Sequence, residues 1–228
     1  MERQDAERRV VTVLMADLVG STAIAERLGP ERARFLLDEV VSVMTEEVYR
    51  FGGTVAQLAG DGMLALFGAP VANEDDPQRA ARAALAIRSS LERYGHEVRD
   101  AYGIEVAVRQ ALNTGVVVVA PSSAGDNPYN ALGDTVNVAA RLQAQAAAGE
   151  ILAGGDTHRL ICSWFDLEDV GDADLRGREQ PVSAHRLVAE GGDAESERRL
   201  PLVGRDYELS LLTRVMSEIG RASCRERV

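Results

Sequence analysis

Apolar positions along the chain come in short runs separated by glycine-rich or charged breaks, and their spacing changes from run to run. Residues 10–17, VVTVLMAD, form a β-branched run that predicts a buried central strand. Residues 18–22, LVGST, read as a short turn whose Ser21 and Thr22 are placed to cap a helix. Helical periodicity then runs from about Ala23 to Gly52-Gly53 with a break at Gly29-Pro30. Phe35, Leu36, Val40, Val43, Met44 and Val48 predict its buried face. Two alternating runs flank Gly60-Asp61-Gly62, the pattern of a hairpin tip. Residues 74–100 predict a second helix, acidic at its start and arginine-rich further on. Residues 104–120 predict two more strands, turning at Asn113-Thr114-Gly115.

The order β-α-β-β-α-β predicts an α+β fold built on a ferredoxin-like βαββαβ core. Further C-terminal β/α elements follow: a loop over 121–132, a helix over 133–148, a strand at 150–154, a short helix near 157–163 and β segments to about 188. The expected domain spans 10–190, after a charged leader at 1–9. A charged linker at 191–200 leads to a new amphipathic start at 201–228.

Composition narrows the chemistry. All 25 basic residues among the 228 are arginine, which excludes a lysine-dependent phosphate loop and Schiff-base chemistry within these residues. A formal charge of −11 argues against nucleic acid as the main partner. Cys162 and Cys224 cannot build a disulfide framework, and His96, His158 and His185 show no zinc-type spacing. With no apolar run long enough to span a bilayer and no signal-type leader, the expectation is a cytoplasmic protein without membrane contact.

Asp17 ends the first predicted strand and Asp61 tips the neighbouring hairpin. Read singly they are a strand-end cap and a turn residue. Together, at one sheet edge, they repel unless a cation lies between them, and hard oxygens suit Mg²⁺ or Mn²⁺. The turn Gly20-Ser21-Thr22 opens a helix whose free N–H groups suit a triphosphate. Asn137 and Arg141, at i and i+4, share a helix face and suit a ribose and a phosphate gaining charge. Arg109, among alternating apolar residues, requires an anionic partner. Arg176 lies in a turn.

ADLVGST, GDGMLALFG, NEDDP, LNTG, GDTVNVAARL and LRGREQPV stand in this order over about residues 10–188. This set resembles the class III nucleotidyl cyclases, in particular their soluble bacterial branch. The resemblance implies two metals, Mg²⁺ or Mn²⁺, on Asp17, Asp61 and the backbone of Leu18. It implies in-line attack of the ribose 3′-hydroxyl on the α-phosphorus, giving 3′,5′-cyclic AMP and pyrophosphate. Asn137 would orient the ribose, Arg141 would neutralise charge at the α-phosphate, and Arg109 and Arg176 would bind triphosphate. Metal pair and Asn/Arg helix come from different subunits in this family, which implies a head-to-tail homodimer with shared sites.

Where the family reads adenine with a lysine and an Asp or Thr, this chain has Gln57 and Asn130. Both are amides, able to donate and accept, so ATP is the expected substrate with GTP as a side substrate. The alternatives are a cyclase-homology module that only binds nucleotide or dimerises, and a diguanylate-type palm, disfavoured by the tip AGDG. Residues 201–228 resemble the truncated start of an AAA/STAND-type ATPase, with the final GRASCRERV expected to be non-native.

Overall fold

The computed structural model describes residues 6–121, 129–173 and 182–191, all within one compact unit. The expected ATPase start at 201–228, nearly all of the linker and Arg176 lie outside the described residues. The domain is α+β, with an eight-stranded sheet and five helices among the described residues.

The first strand, β1 (Glu7–Leu18), runs up the middle of the sheet, between β3 (Gly62–Phe67) and β4 (Val108–Pro121), antiparallel to both. Helices α1 (Ser21–Leu28) and α2 (Pro30–Arg50) follow it, then β2 (Thr54–Ala59), β3 and the long α3 (Asp76–Tyr102). After β4 come β5 (Tyr129–Leu132), α4 (Asp134–Gln145), β6 (Ile151–Gly154), α5 (Gly155–Ile161), β7 (Phe165–Ala173) and β8 (Val182–Glu190). The strand order is β2-β3-β1-β4-β6-β8-β7, with β5 paired to β4. The βαββαβ core is therefore present as the pattern predicts. Among the described residues no helix is long and apolar enough to cross a membrane.

Alternation along β1 divides its side chains between two cores. Leu14, Ala16 and Leu18 face the helices α1, α2 and α3, together with Leu36, Met44, Phe67, Ile87 and Leu112. Val11 and Val13 face the other way, with Leu64, Leu66, Val117, Val119 and α4's Ala139. Each Val, Leu, Ile, Phe or Met among them, fully buried, contributes about 1.5–3 kcal/mol, so the two faces together fix the register of the strand. Tyr129 and Ala131 of β5 pack on this second cluster beside Ala56, which brings β5 into contact with β2.

Three local expectations are corrected. Phe35 is not on the buried face of α2: it is 65% exposed, and Ala33 takes the inward position with Leu36, Val40, Met44 and Val48. Neither Ser21 nor Thr22 caps α1, whose N-cap is Gly20 in the left-handed conformation (φ 71°), without a side-chain bond. Asn113-Thr114-Gly115 is no turn, because β4 runs unbroken through it in register with β1.

The last correction has a plain cause. The Thr114 hydroxyl lies 2.9 Å from both the Thr12 and Thr157 hydroxyls, in a buried chain. The Asn113 amide donates to the Thr135 carbonyl at 3.0 Å. Gly115 is small because α4 packs against it: a Cβ there would lie 2.6 Å from Thr135 Oγ1. These are turn-forming residue types used as interior polar contacts. Replacing Gly115 by Ala should therefore lower unfolding stability by about 1–3 kcal/mol, read from the urea midpoint. A midpoint equal to wild type would show that α4 yields freely at this contact.

Candidate active site

Asp17 stands opposite Gly62 on β3 and opposite Arg109 on β4. Its parity with Val11 and Val13 puts it on the α4 face of the sheet. The Arg109 guanidinium donates to Asp17 Oδ2 twice, from Nη2 at 2.6 Å and Nε at 3.0 Å. The side chains of Arg109 and Asp17 are 36% and 24% exposed, so the pair contributes only about 0–1 kcal/mol. Gln143 of α4 donates to the same oxygen at 3.4 Å.

The other oxygen, Oδ1, has no donor among the described residues. It faces the hairpin: a Cβ built on Gly62 would lie 3.4 Å from it. Asp61 sits in the tight turn before Gly62, partly exposed, and its carbonyl accepts the Leu18 N–H at 3.4 Å. The ends of β1 and of the hairpin are thus tied together, which brings the residues Asp17, Asp61 and Leu18 to one end of the sheet. This donor set fits a divalent ion. It is all hard oxygen, and no group of three His, Cys, Asp or Glu gathers among the described residues. Such a site suits a hydrated ion shared with a ligand's phosphates rather than one caged by protein.

Gly20 turns the chain straight from β1 into α1, so the uncapped first N–H groups of that helix lie three to five residues after Leu18. Gln57 and Asn130 are both exposed, on the contacting strands β2 and β5. A bulge between Val55 and Gln57 pairs Gln57 with Leu64, which turns it onto the same sheet face as Asp17. Asn130 alternates outward with Leu132, opposite to Tyr129 and Ala131.

Asn137 and Arg141 do not join Asp17 within the chain. Helix α4 buries Thr135, Val138, Ala139, Leu142 and Gln143 against the sheet. Asn137 is exposed and Arg141 half-buried, on the side turned away from that face. One chain therefore presents the carboxylates at one place and the Asn/Arg pair at another.

Two features escape the sequence reading. Gln143 is a polar residue at a buried helical phase among Val138, Ala139 and Leu142, a signal that the period alone carries. The scattered histidines His158 and His185 meet across α5 and β8, with ring centroids 3.8 Å apart and planes 15° from parallel.

The fold agrees with the comparisons. The chain belongs to the adenylate and guanylate cyclase catalytic domain family, whose profile matches residues 4–188. It is 31% identical over 186 residues to Adenylate cyclase 1 of Rhizobium meliloti, covering 80% of this chain and 28% of that protein. The chain thus spans little more than a quarter of that relative. The crystal structure of the adenylyl cyclase CyaB from P. aeruginosa matches with a TM-score of 0.78 at 27% identity, over 83% of this chain and 98% of that one. The guanylyl cyclase Cya2 matches with a TM-score of 0.75 at 26% identity, over 82% and 96%. Relatives named for either base share this fold.

Burial holds the His158 imidazole below its ordinary value; the nearby His185 and Arg159 charges push the same way, and Asp169 opposes them. The folded chain therefore favours neutral His158. Its contribution to stability is present above an unfolded value of about 6.5 and is lost as pH falls through the lower folded value. Between pH 7 and 5 the denaturation midpoint of wild type should fall more steeply than that of His158→Gln. Parallel pH profiles would contradict this.

Proposed function

We propose that this domain is an adenylate cyclase, converting ATP to 3′,5′-cyclic AMP and pyrophosphate, with GTP as a poorer substrate. The observation that carries the reading is the juxtaposition of Asp17, Asp61 and the Leu18 backbone at the sheet edge, directly before an uncapped helix N-terminus. Those three groups would hold two Mg²⁺ or Mn²⁺ ions. When bound, the ions supply acidity at the ribose 3′-hydroxyl and positive charge on the triphosphate.

The remaining work falls to the chain's own residues. The N–H groups after Gly20, at Ser21 and Thr22, donate to phosphate oxygens. Arg109 is held by Asp17 through a weak, partly exposed pair, so its guanidinium is available to a triphosphate oxygen as well. Arg176 is proposed for a further triphosphate contact. Arg141 neutralises charge developing at the α-phosphate, and Asn137 fixes the ribose so that its 3′-oxygen is in line with the leaving pyrophosphate.

Because Asn137 and Arg141 face away from Asp17 in the same chain, a second copy supplies them, in a head-to-tail homodimer with two equivalent sites. The exposed amides Gln57 and Asn130 read the base. Each can present either donor or acceptor, so discrimination between adenine and guanine is weaker than a lysine and a carboxylate would give. The amide pair also motivates a second reading, a module that binds nucleotide without turning it over. We further propose that residues 191–200 link this domain to another module, and that it works in the cytoplasm.

Pure protein with Mn²⁺ and either ATP or GTP, its product identified by mass spectrometry, tests the proposal. Cyclic AMP is expected as the main product and cyclic GMP as the minor one, and Asp17→Ala should lower both by a factor of at least about 10³. Nucleotide binding by calorimetry without any cyclic product would overturn catalysis and leave the binding module.

A further inference from the structure

Gln143 enters the site from a helix whose other face has a different task. It is only 8% exposed, and its side-chain amide donates to Asp17 Oδ2 at 3.4 Å. A primary amide among Val138, Ala139 and Leu142 is costly there unless it is bonded, and the Asp17 carboxylate is its bonding partner. Arg109 donates to the same oxygen. Oδ2 is thus held by three N–H groups from two elements, while Oδ1 is left facing the hairpin that carries Asp61.

We infer that Gln143 is a positioning residue: with Arg109 it fixes the rotation of the Asp17 carboxylate so that Oδ1 is presented to a divalent cation at the hairpin. This rests on the reading of Asp17 as a metal ligand. Arg109 alone can follow the carboxylate, because its side chain is long and partly exposed. Gln143 cannot, because the packed face of α4 carries it. The anchoring also ties Asp17 to the helix that bears Asn137 and Arg141 on its opposite side. Movement of α4 that shifts this pair in one site of the proposed dimer therefore shifts the carboxylate in the other.

Gln143→Met keeps the length and volume of the side chain and removes the donor. Mn²⁺ binding to the nucleotide-free protein is read by the electron paramagnetic resonance signal of the free ion, well below the melting temperature of each protein. Affinity should fall about tenfold, the low end of what losing an orienting partner of a metal ligand costs. The Mn²⁺ concentration for half-maximal activity should rise in step, with kcat at saturating Mn²⁺ close to wild type. Gln143→Asn keeps the amide but retracts it by one methylene, and should weaken binding in the same direction even if Gln143→Met folds poorly. Asp17→Ala in the same assay separates the two ideas. If Asp17→Ala weakens Mn²⁺ binding and neither Gln143 variant does, the positioning role is overturned alone. If Asp17→Ala leaves binding intact, the metal reading itself fails and takes this inference with it.

Discussion

Every feature of the site depends on the register of β1. The strand is paired with β4 along its whole length and with β3 from Thr12 to Asp17, so Asp17 is fixed opposite Gly62 and Arg109 together. A slip of one residue would turn Asp17 into the helix-packed core and Leu18 out of it. What resists that slip is apolar: Leu14, Ala16 and Leu18 on one face, Val11 and Val13 on the other, all almost completely buried. The ion pair between Asp17 and Arg109 is too exposed to set the register itself, and follows from it. Weak pairing suits a carboxylate and an arginine that both have further partners in the proposed reaction.

Helix α4 carries the second constraint. Its buried side, from Thr135 to Gln143, packs on β4 and β1, where Gly115 and Asn113 admit it closely. That packing leaves Asn137 and Arg141 on the outer side. The two halves of the proposed site are thus held by one domain and kept apart by it, which is the physical basis for proposing shared sites between two copies. Gln143 is the point at which the halves touch.

The βαββαβ order, the hairpin tip and the helix break at Gly29-Pro30 were legible because each has a local cause: period, glycine or proline. Asp17 and Asp61 were legible as a pair because sheet topology follows from that order. Arg109 could be read as requiring an anion, but its partner is 92 residues away and depends on strand register. Asn113-Thr114-Gly115 misled for the converse reason. Turn-type residues were being used for buried bonds to Thr12, Thr135 and Thr157, and no local pattern distinguishes the two uses. Phe35 followed the helical period approximately, yet a neighbouring alanine took the inward phase. The stacked His158 and His185 came from elements that pack only in the finished fold.

In the proposed dimer, one chain cannot complete its own site. Asp17→Ala and the double variant Asn137→Ala/Arg141→Ala should each be nearly inactive as pure homodimers. After mixing by co-expression, random pairing gives half heterodimers, each with one intact site, and activity should recover to about a quarter of wild type. No recovery, in heterodimers shown to have formed, would contradict sites shared between two chains.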